Sequence, residues 1–271
     1  MAETITLLTD FGVASTYPAQ MKGVILERSP DAVIVDMSHA VPRHDVHTAA
    51  FMLASAAPAF AEGTVHVAVV DPEVGGPRQV LAAEAGGHVY LAPDNGLLTL
   101  VAQRRLLLGG SVSESRVVAV ENESFFRADV SSTFHGRDIF APLAAALASG
   151  TAIDGLGPQV EAIERFGVPL PEREENTICG HVLYVDPFGN LVTNIAGETL
   201  MERDPSAVEI YVSGAVIRGL RRAYCDVAAG MLLAYVGSAG LMEVAVNRQS
   251  AALRLGAAIG TRLTVRLPSA S

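Results

Sequence analysis

The chain has 271 residues, half of them hydrophobic, enough to bury one large core or two smaller ones without covalent or metal staples. A formal charge of −10 argues against general nucleic-acid binding, which needs a basic footprint. Cys179 and Cys225 match no zinc or redox spacing, the N-terminus has no basic leader region, and no apolar run is long enough to span a bilayer, so a cytoplasmic protein without a membrane partner is expected.

The first part of the chain alternates strand-like and helix-like runs. Ile5–Leu8 is a short apolar run that ends at Thr9-Asp10-Phe11-Gly12. Pro18 suits the first turn of a helix through about Arg28, with Met21, Val24, Ile25 and Arg28 on one face. Ala32–Val35 reads as a buried strand, Val46–Ala57 as an Ala-rich helix, and Thr64–Val70 as a second buried strand stopped by Asp71-Pro72. Val80–Ala83 and Val89–Ala92 form a hairpin pattern around Gly86-Gly87, and the turn Pro93-Asp94-Asn95-Gly96 leads into a short apolar helix. Gly136–Ser149 reads as a helix whose N-terminal end follows His135, an environment that favours a neutral imidazole. This succession predicts an α/β fold, a mostly parallel sheet flanked by helices, over residues 1–165.

Residues 166–176 are rich in Pro, Glu and Arg and have linker composition. Beyond them, His181–Asp186, Leu191–Ile195, Val208–Val212, Ala215–Arg218, Leu232–Val236, Leu241–Val246 and Thr261–Leu267 are short strand candidates, so residues 177–271 are expected to form a smaller β domain.

Several polar constellations could carry chemistry. Asp10, at the carboxyl end of the first strand, could accept both hydroxyls of a ribose or could serve as a turn residue. Asp36, His39, His44, Asp45 and His47 could gather a metal, or could be a polar loop with Asp45 as the cap of the next helix. Asp71 and Arg78 share a Gly/Pro-rich loop, and could form a structural ion pair or hold a nucleophile together with His135 in Phe134-His135-Gly136-Arg137-Asp138. Asp186-Pro187-Phe188-Gly189-Asn190 combines a turn, an aromatic that can stack on a base, and an amide that can read a purine edge; a plain hairpin would account for the same residues. Tyr235 through Gly240, followed by Glu243, is a similar loop at a strand end.

In their order these segments resemble one family over nearly the whole chain: the S-adenosylmethionine hydroxide adenosyltransferases, relatives of the halogenating enzymes that use the same sulfonium compound. The resemblance rests on Thr9–Gly12, Asp71-Pro72 through Arg78, Pro93–Gly96, Thr133–Asp138, Asp186–Asn190 with Thr193-Asn194, and Gly237-Ser238 through Asn247. It implies an α/β domain joined to a β-barrel-like domain, and a homotrimer with active sites at subunit interfaces. By this likeness Asp71, Arg78 and His135 form the water-activating catalytic triad. Asp10 grips the ribose hydroxyls, while Phe188, Asn190 and the backbone near Val246 hold adenine. Asp186, Ser238 and Glu243 meet the methionine or ribose portion, and Tyr235 in the same loop counts among the substrate contacts.

The implied reaction is hydrolysis of S-adenosyl-L-methionine, the substrate, to adenosine and L-methionine, with no metal or other cofactor. A halogenase is the nearest rival, disfavoured because that branch carries a tyrosine–serine pair where this chain has His135-Gly136, and because Arg78 suits the hydrolase. A protein that binds the nucleoside without turnover is a second rival, and a metal-dependent phosphoesterase is a third.

Overall fold

The computed structural model describes residues 4–107 and 116–268. The chain divides into two compact units, Met1–Gln103 with Val112–Phe166, and Arg104–Ser111 with Gly167–Ser271.

The first unit contains β1 (Thr4–Thr9), α1 (Tyr17–Arg28), β2 (Val33–Ser38), α2 (Val46–Ala56), β3 (Val65–Val69), β4 (Val80–Ala85), β5 (His88–Pro93), the start of α3 (Thr99–Leu107), β6 (Arg116–Ala119) and α4 (Ala141–Ala148). Its six strands are ordered β2-β1-β3-β5-β4-β6. The first four pair in parallel, and β4 and β6 complete the sheet in antiparallel. Strand alternation sorts the core into two layers. Ile5, Leu7, Val65, Val67 and Val69 pack with Met21 and Ile25 of α1 and Leu143 of α4. Leu8, Ala68 and Val70 pack instead with Ala49 and Leu53 of α2.

Two expectations need correction. Ala32–Val35 reads as a buried strand, but β2 lies at the sheet edge, and Val33 is 47% exposed because only β1 flanks it. Arg28, expected on the buried face of α1, is exposed, and its guanidinium donates to the backbone carbonyls of Phe125 and Phe126. A cation at a helix end is more stable meeting carbonyl oxygens than apolar core.

The second unit is built from β7 (Glu172–Glu174), β8 (Thr177–Val185), β9 (Leu191–Ala196), α5 (Gly197–Met201), β10 (Glu209–Val212), β11 (Ala215–Arg218), β12 (Leu232–Val236), β13 (Leu241–Val246), α6 (Ala251–Leu255) and β14 (Arg262–Arg266). Seven strands run β11-β10-β14-β8-β9-β13-β12, and β7 pairs with β8. A bridge from Leu220, just past β11, to Ala234 in β12 nearly closes this antiparallel sheet into a barrel around Ile178, Leu191, Ile210, Val244 and Val265. The short strand β7 falls inside the stretch of linker composition; its three residues are all exposed, which is why they show no apolar alternation.

Burial of a histidine pair in the first unit gives a testable pH dependence. His66 is fully buried in β3; its Nδ1 lies 2.8 Å from Thr6 Oγ1 and its Nε2 lies 3.2 Å from His88 Nδ1. Burial pushes the His66 imidazole down from 6.5 to about 3, and the neighbouring His88 adds to the shift. The folded state therefore holds His66 neutral, whereas the unfolded chain takes up a proton below about 6.5. This contribution to stability is complete above pH 6.5 and is lost as pH falls toward 3, by at most about 1.4 kcal/mol per pH unit. Urea unfolding between pH 7.5 and 4.5 should show a slope for the parent that is shallower in His66→Asn.

Candidate active site

β1 and β3 are parallel and in register, with Thr9 opposite Val69, so the loops that begin at Asp10 and Asp71 leave the same edge of the sheet. The Asp71 loop turns through Gly75, at φ 81°, where an added Cβ would collide with the Ser132 carbonyl oxygen. Glycine is needed twice over there, for the left-handed backbone and for the close approach. That approach brings Asp71–Arg78 against the segment carrying His135, although Arg78 and His135 are 57 residues apart.

The three polar side chains named from the sequence meet. Arg78 Nε donates to Asp71 Oδ2 at 2.8 Å, and Arg78 Nη2 also bonds that oxygen. The second proton of Nη2 goes to His135 Nδ1 at 2.8 Å. The Arg78 and Asp71 side chains are only 5% and 3% exposed, and Asp71 Oδ1 is buried without a hydrogen-bond partner among the described residues. Burial and the Arg78 charge lower the His135 pKa, and the more weakly acting Asp71 and Asp138 oppose them. A guanidinium can only donate, so Nδ1 accepts and the neutral ring carries its proton on Nε2.

The turn that follows fixes this histidine. Gly136–Phe140 forms a π-helical turn leading into α4, a distortion often found at functional sites. Asp138 is fully buried within it and accepts from Arg137 Nε at 2.7 Å, Arg137 Nη2 at 2.9 Å and the Ser131 backbone N–H at 2.9 Å. The bond from Arg137 outweighs burial and holds the Asp138 carboxyl below its usual range. Arg137-Asp138 thus clamps the loop on both sides of His135.

Asp10 sits beside this cluster. The Phe11 ring meets Phe134 edge-on at 5.8 Å, so the Asp10 and His135 loops run side by side. Asp10 Oδ2 accepts from the His44 backbone N–H at 2.9 Å. The neighbouring acid–histidine cluster does not converge: among the described residues no three His, Cys, Asp or Glu side chains gather as a metal ion would require. Asp45 instead caps α2, accepting from Thr48 N at 2.9 Å, and the His47 ring stacks on Phe166 at 4.0 Å. A cavity of about 680 Å³ adjoins Arg78, lined also by Gln79, Asp94, Asn95 and Phe166. Asn95 there donates to the Val70 carbonyl at 2.9 Å, bracing the strand end from which Asp71 emerges.

The remaining residues named from the sequence lie on the β unit. Phe188, Asn190 and Val246 line one cleft of about 500 Å³, together with Tyr224. Phe188 is 78% exposed there, an aromatic face free to stack. Asp186 serves its own turn, accepting from the backbone N–H groups of Phe188 at 2.9 Å and Asn190 at 2.8 Å, and from Asn190 Nδ2 at 2.7 Å. Asn190 Nδ2 also donates to Tyr224 Oη at 3.0 Å, and Tyr224 Oη lies 2.6 Å from Tyr235 Oη. Tyr235 donates to Glu243 Oε2, so Tyr224 must donate to Tyr235. Both amide hydrogens of Asn190 are therefore spent inside the protein, and its carbonyl oxygen is the group left to a ligand. Burial, the bond to Glu243 and the bond to Tyr224 raise the Tyr235 pKa. Burial raises that of Glu243 as well, with the Tyr235 bond opposing and the like charge of Asp186 reinforcing. Ser238 is separate, lining a cleft with Gly197, Met201 and Val236. Nothing in the sequence singles out Tyr224, because it lies in a loop without periodicity.

Residues 5–157 match the SAM hydroxide adenosyltransferase N-terminal domain, and residues 180–264 match the SAM hydroxide adenosyltransferase C-terminal domain. A protein of Salinispora tropica named (R)-S-adenosyl-L-methionine hydrolase is 41% identical over 263 residues, which cover 96% of this chain and 97% of that one. A fluorinase of Nocardia brasiliensis is more distant, at 27% identity over 297 residues, covering 97% of this chain and 96% of its own. Among solved structures, an uncharacterized conserved protein from Thermotoga maritima superposes with a TM-score of 0.87 at 33% identity, covering 97% of this chain and 99% of the other. With both domains matched in order and a relative of this similarity along almost its entire length, the chain belongs to the SAM hydroxide adenosyltransferase family.

Proposed function

We propose that this protein is an S-adenosyl-L-methionine hydrolase, forming adenosine and L-methionine by in-line attack of water at C5′. The observation that carries the reading is the buried meeting of Asp71, Arg78 and His135 in a chain 41% identical to a protein named for that hydrolysis. The relative's name specifies the (R) form of the sulfonium compound, and the same form is proposed here.

The chemistry suits these groups. Water oxygen bonds to C5′ as the C5′–S bond breaks; the bonding pair goes to sulfur, giving the neutral thioether of methionine. The leaving group needs no acid, and the displacement calls for no metal or redox cofactor. It does require an aligned, activated nucleophile. In this reading the water's proton goes to the unpartnered Oδ1 of Asp71, while His135 directs its Nε2–H toward the attacking oxygen. Arg78 locks both in place and supplies a fixed positive charge for the developing hydroxide. His135 is then a donor and not the base, since the nitrogen that could accept is occupied by Arg78.

Asp10 is assigned to the ribose hydroxyls. The carbonyl of Asn190 is assigned to the adenine amine, with Phe188 and the Val246 backbone at the base, and Asp186, Tyr235, Ser238 and Glu243 at the ribose and methionine portions. The homotrimer with active sites at subunit interfaces and the cytoplasmic location belong to the same reading and rest on the family likeness; light scattering should give three chains. Pure protein incubated with the (R) and (S) sulfonium forms should release adenosine from the (R) form, unchanged by chloride or fluoride. Halide-dependent 5′-halo-nucleoside would make the protein a halogenase, and binding without product would make it a nucleoside sensor.

A further inference from the structure

The acid–histidine cluster that begins in β2 gathers no metal-binding group among the described residues, yet it forms a line of polar contacts. Lys22 Nζ on α1 donates to Asp36 Oδ2 at 2.6 Å. The second carboxylate oxygen, Asp36 Oδ1, lies 3.0 Å from His39 Nε2, an electrostatic contact whose angle falls short of a hydrogen bond. His39 Nδ1 lies 2.8 Å from Thr9 Oγ1, and Thr9 Oγ1 accepts the Phe11 backbone N–H at 3.2 Å. The His39 carbonyl also accepts the N–H of Gly12 at 2.8 Å. Two backbone bonds thus hold the residues immediately after Asp10, and the His44 N–H takes the Asp10 carboxylate itself.

The charge at one end sets the polarity of the line. The Asp36 carboxylate beside Nε2 favours the tautomer that carries its proton there, which leaves Nδ1 to accept. Thr9 therefore donates to His39 while receiving the Phe11 N–H. Thr9 is fully buried and His39 is 7% exposed. Neither can reach a reacting atom, so the acid–histidine–hydroxyl series is no nucleophile relay. Burial alone would raise the Asp36 carboxyl, but Lys22 and His39 beside it outweigh this and keep it below the usual range. The far end of the line stays an anion anchored to a helix.

We propose that His39, backed by Asp36, is a positioning residue that presets the Asp10 carboxylate through Thr9 and the Phe11 and Gly12 amides. The inference rests on the assignment of Asp10 to the ribose hydroxyls. A carboxylate that must accept two hydroxyls at once gains most when its backbone is fixed before binding. The line then acts on affinity for the nucleoside and leaves the attack at C5′ untouched.

A double-mutant cycle with Asp10→Ala tests it, read by KM and kcat for S-adenosyl-L-methionine and by calorimetric Kd for adenosine. His39→Ala and Thr9→Val should each raise KM and Kd about tenfold, with kcat within about twofold. Made in the Asp10→Ala background, the same changes should add less than about twofold, because the group they position is gone. His39→Asn, which keeps an acceptor near the Nδ1 position, and Thr9→Ser, which keeps the hydroxyl, should recover most of the affinity. Asp36→Asn, on a half-exposed side chain, provides a milder variant that should fold even where His39→Ala does not, and should raise KM about threefold.

Equal losses with and without Asp10, or a fall in kcat at unchanged KM, would overturn the proposal. If the parent binds adenosine and Asp10→Ala binds it equally well, the ribose assignment itself fails. The two failures are therefore told apart by the Asp10→Ala variant alone.

Discussion

Asp71→Asn is expected to lower kcat for adenosine release by about 10²- to 10⁴-fold while KM changes less than about threefold. The substitution is nearly isosteric and leaves an oxygen that can still accept from Arg78. It removes the negative charge and offers an amide where Oδ1 stands unpartnered. A group that takes the proton of the nucleophile acts in the transition state and little in the ground state, so its loss should fall on turnover. Single-turnover quenched-flow with the (R) sulfonium form separates the chemical step from product release. A rise in KM at constant kcat would move Asp71 to substrate binding and leave the attacking water without an acceptor. By the same reasoning His135→Ala should lower kcat less, because it removes a donor that Arg78 only helps to aim.

Arg78→Met should cost about 3–5 kcal/mol in unfolding free energy, in addition to abolishing measurable turnover. The Asp71 and Arg78 side chains are both nearly inaccessible, so deleting the cation strands a carboxylate in the protein interior. Truncating one member of such a pair is far more damaging than replacing both with neutral groups. The double variant Asp71→Asn/Arg78→Met is therefore expected to recover most of the lost stability and none of the activity. Urea denaturation of the parent, the two single variants and the double variant checks this. Additive losses in the double variant would mean that the pair contributes through packing alone.

Much of this architecture was legible from the amino-acid sequence because period-2 and period-3.6 apolar runs survive wherever an element is buried on one face. Val65, Val67 and Val69 show it in β3, and Met21, Val24 and Ile25 show it in α1. The signal failed where burial failed: β7 is exposed throughout, and β2 is apolar in sequence but an edge in space. Asp71, Arg78 and His135 were visible because loop glycines and prolines mark where chains must approach closely. The use of His39 was not, since only the fold shows that its ring turns toward Thr9 and not toward His44 or His47. Tyr224 was hidden for a similar reason: its value lies in joining Asn190, 34 residues before it, to Tyr235 on the following strand.

The outermost strand Val33–Ser38 raises a separate matter, solubility. Among the described residues no strand pairs with its outer side, the kind of edge that another chain can extend, and Val33 adds an exposed apolar side chain. Asp36 stands within that strand as a charged side chain tied to Lys22, and a charge there opposes the intruding sheet extension that begins aggregation. One carboxylate thereby discourages fibril-like growth at the rim of the molecule while its second oxygen faces inward to an imidazole.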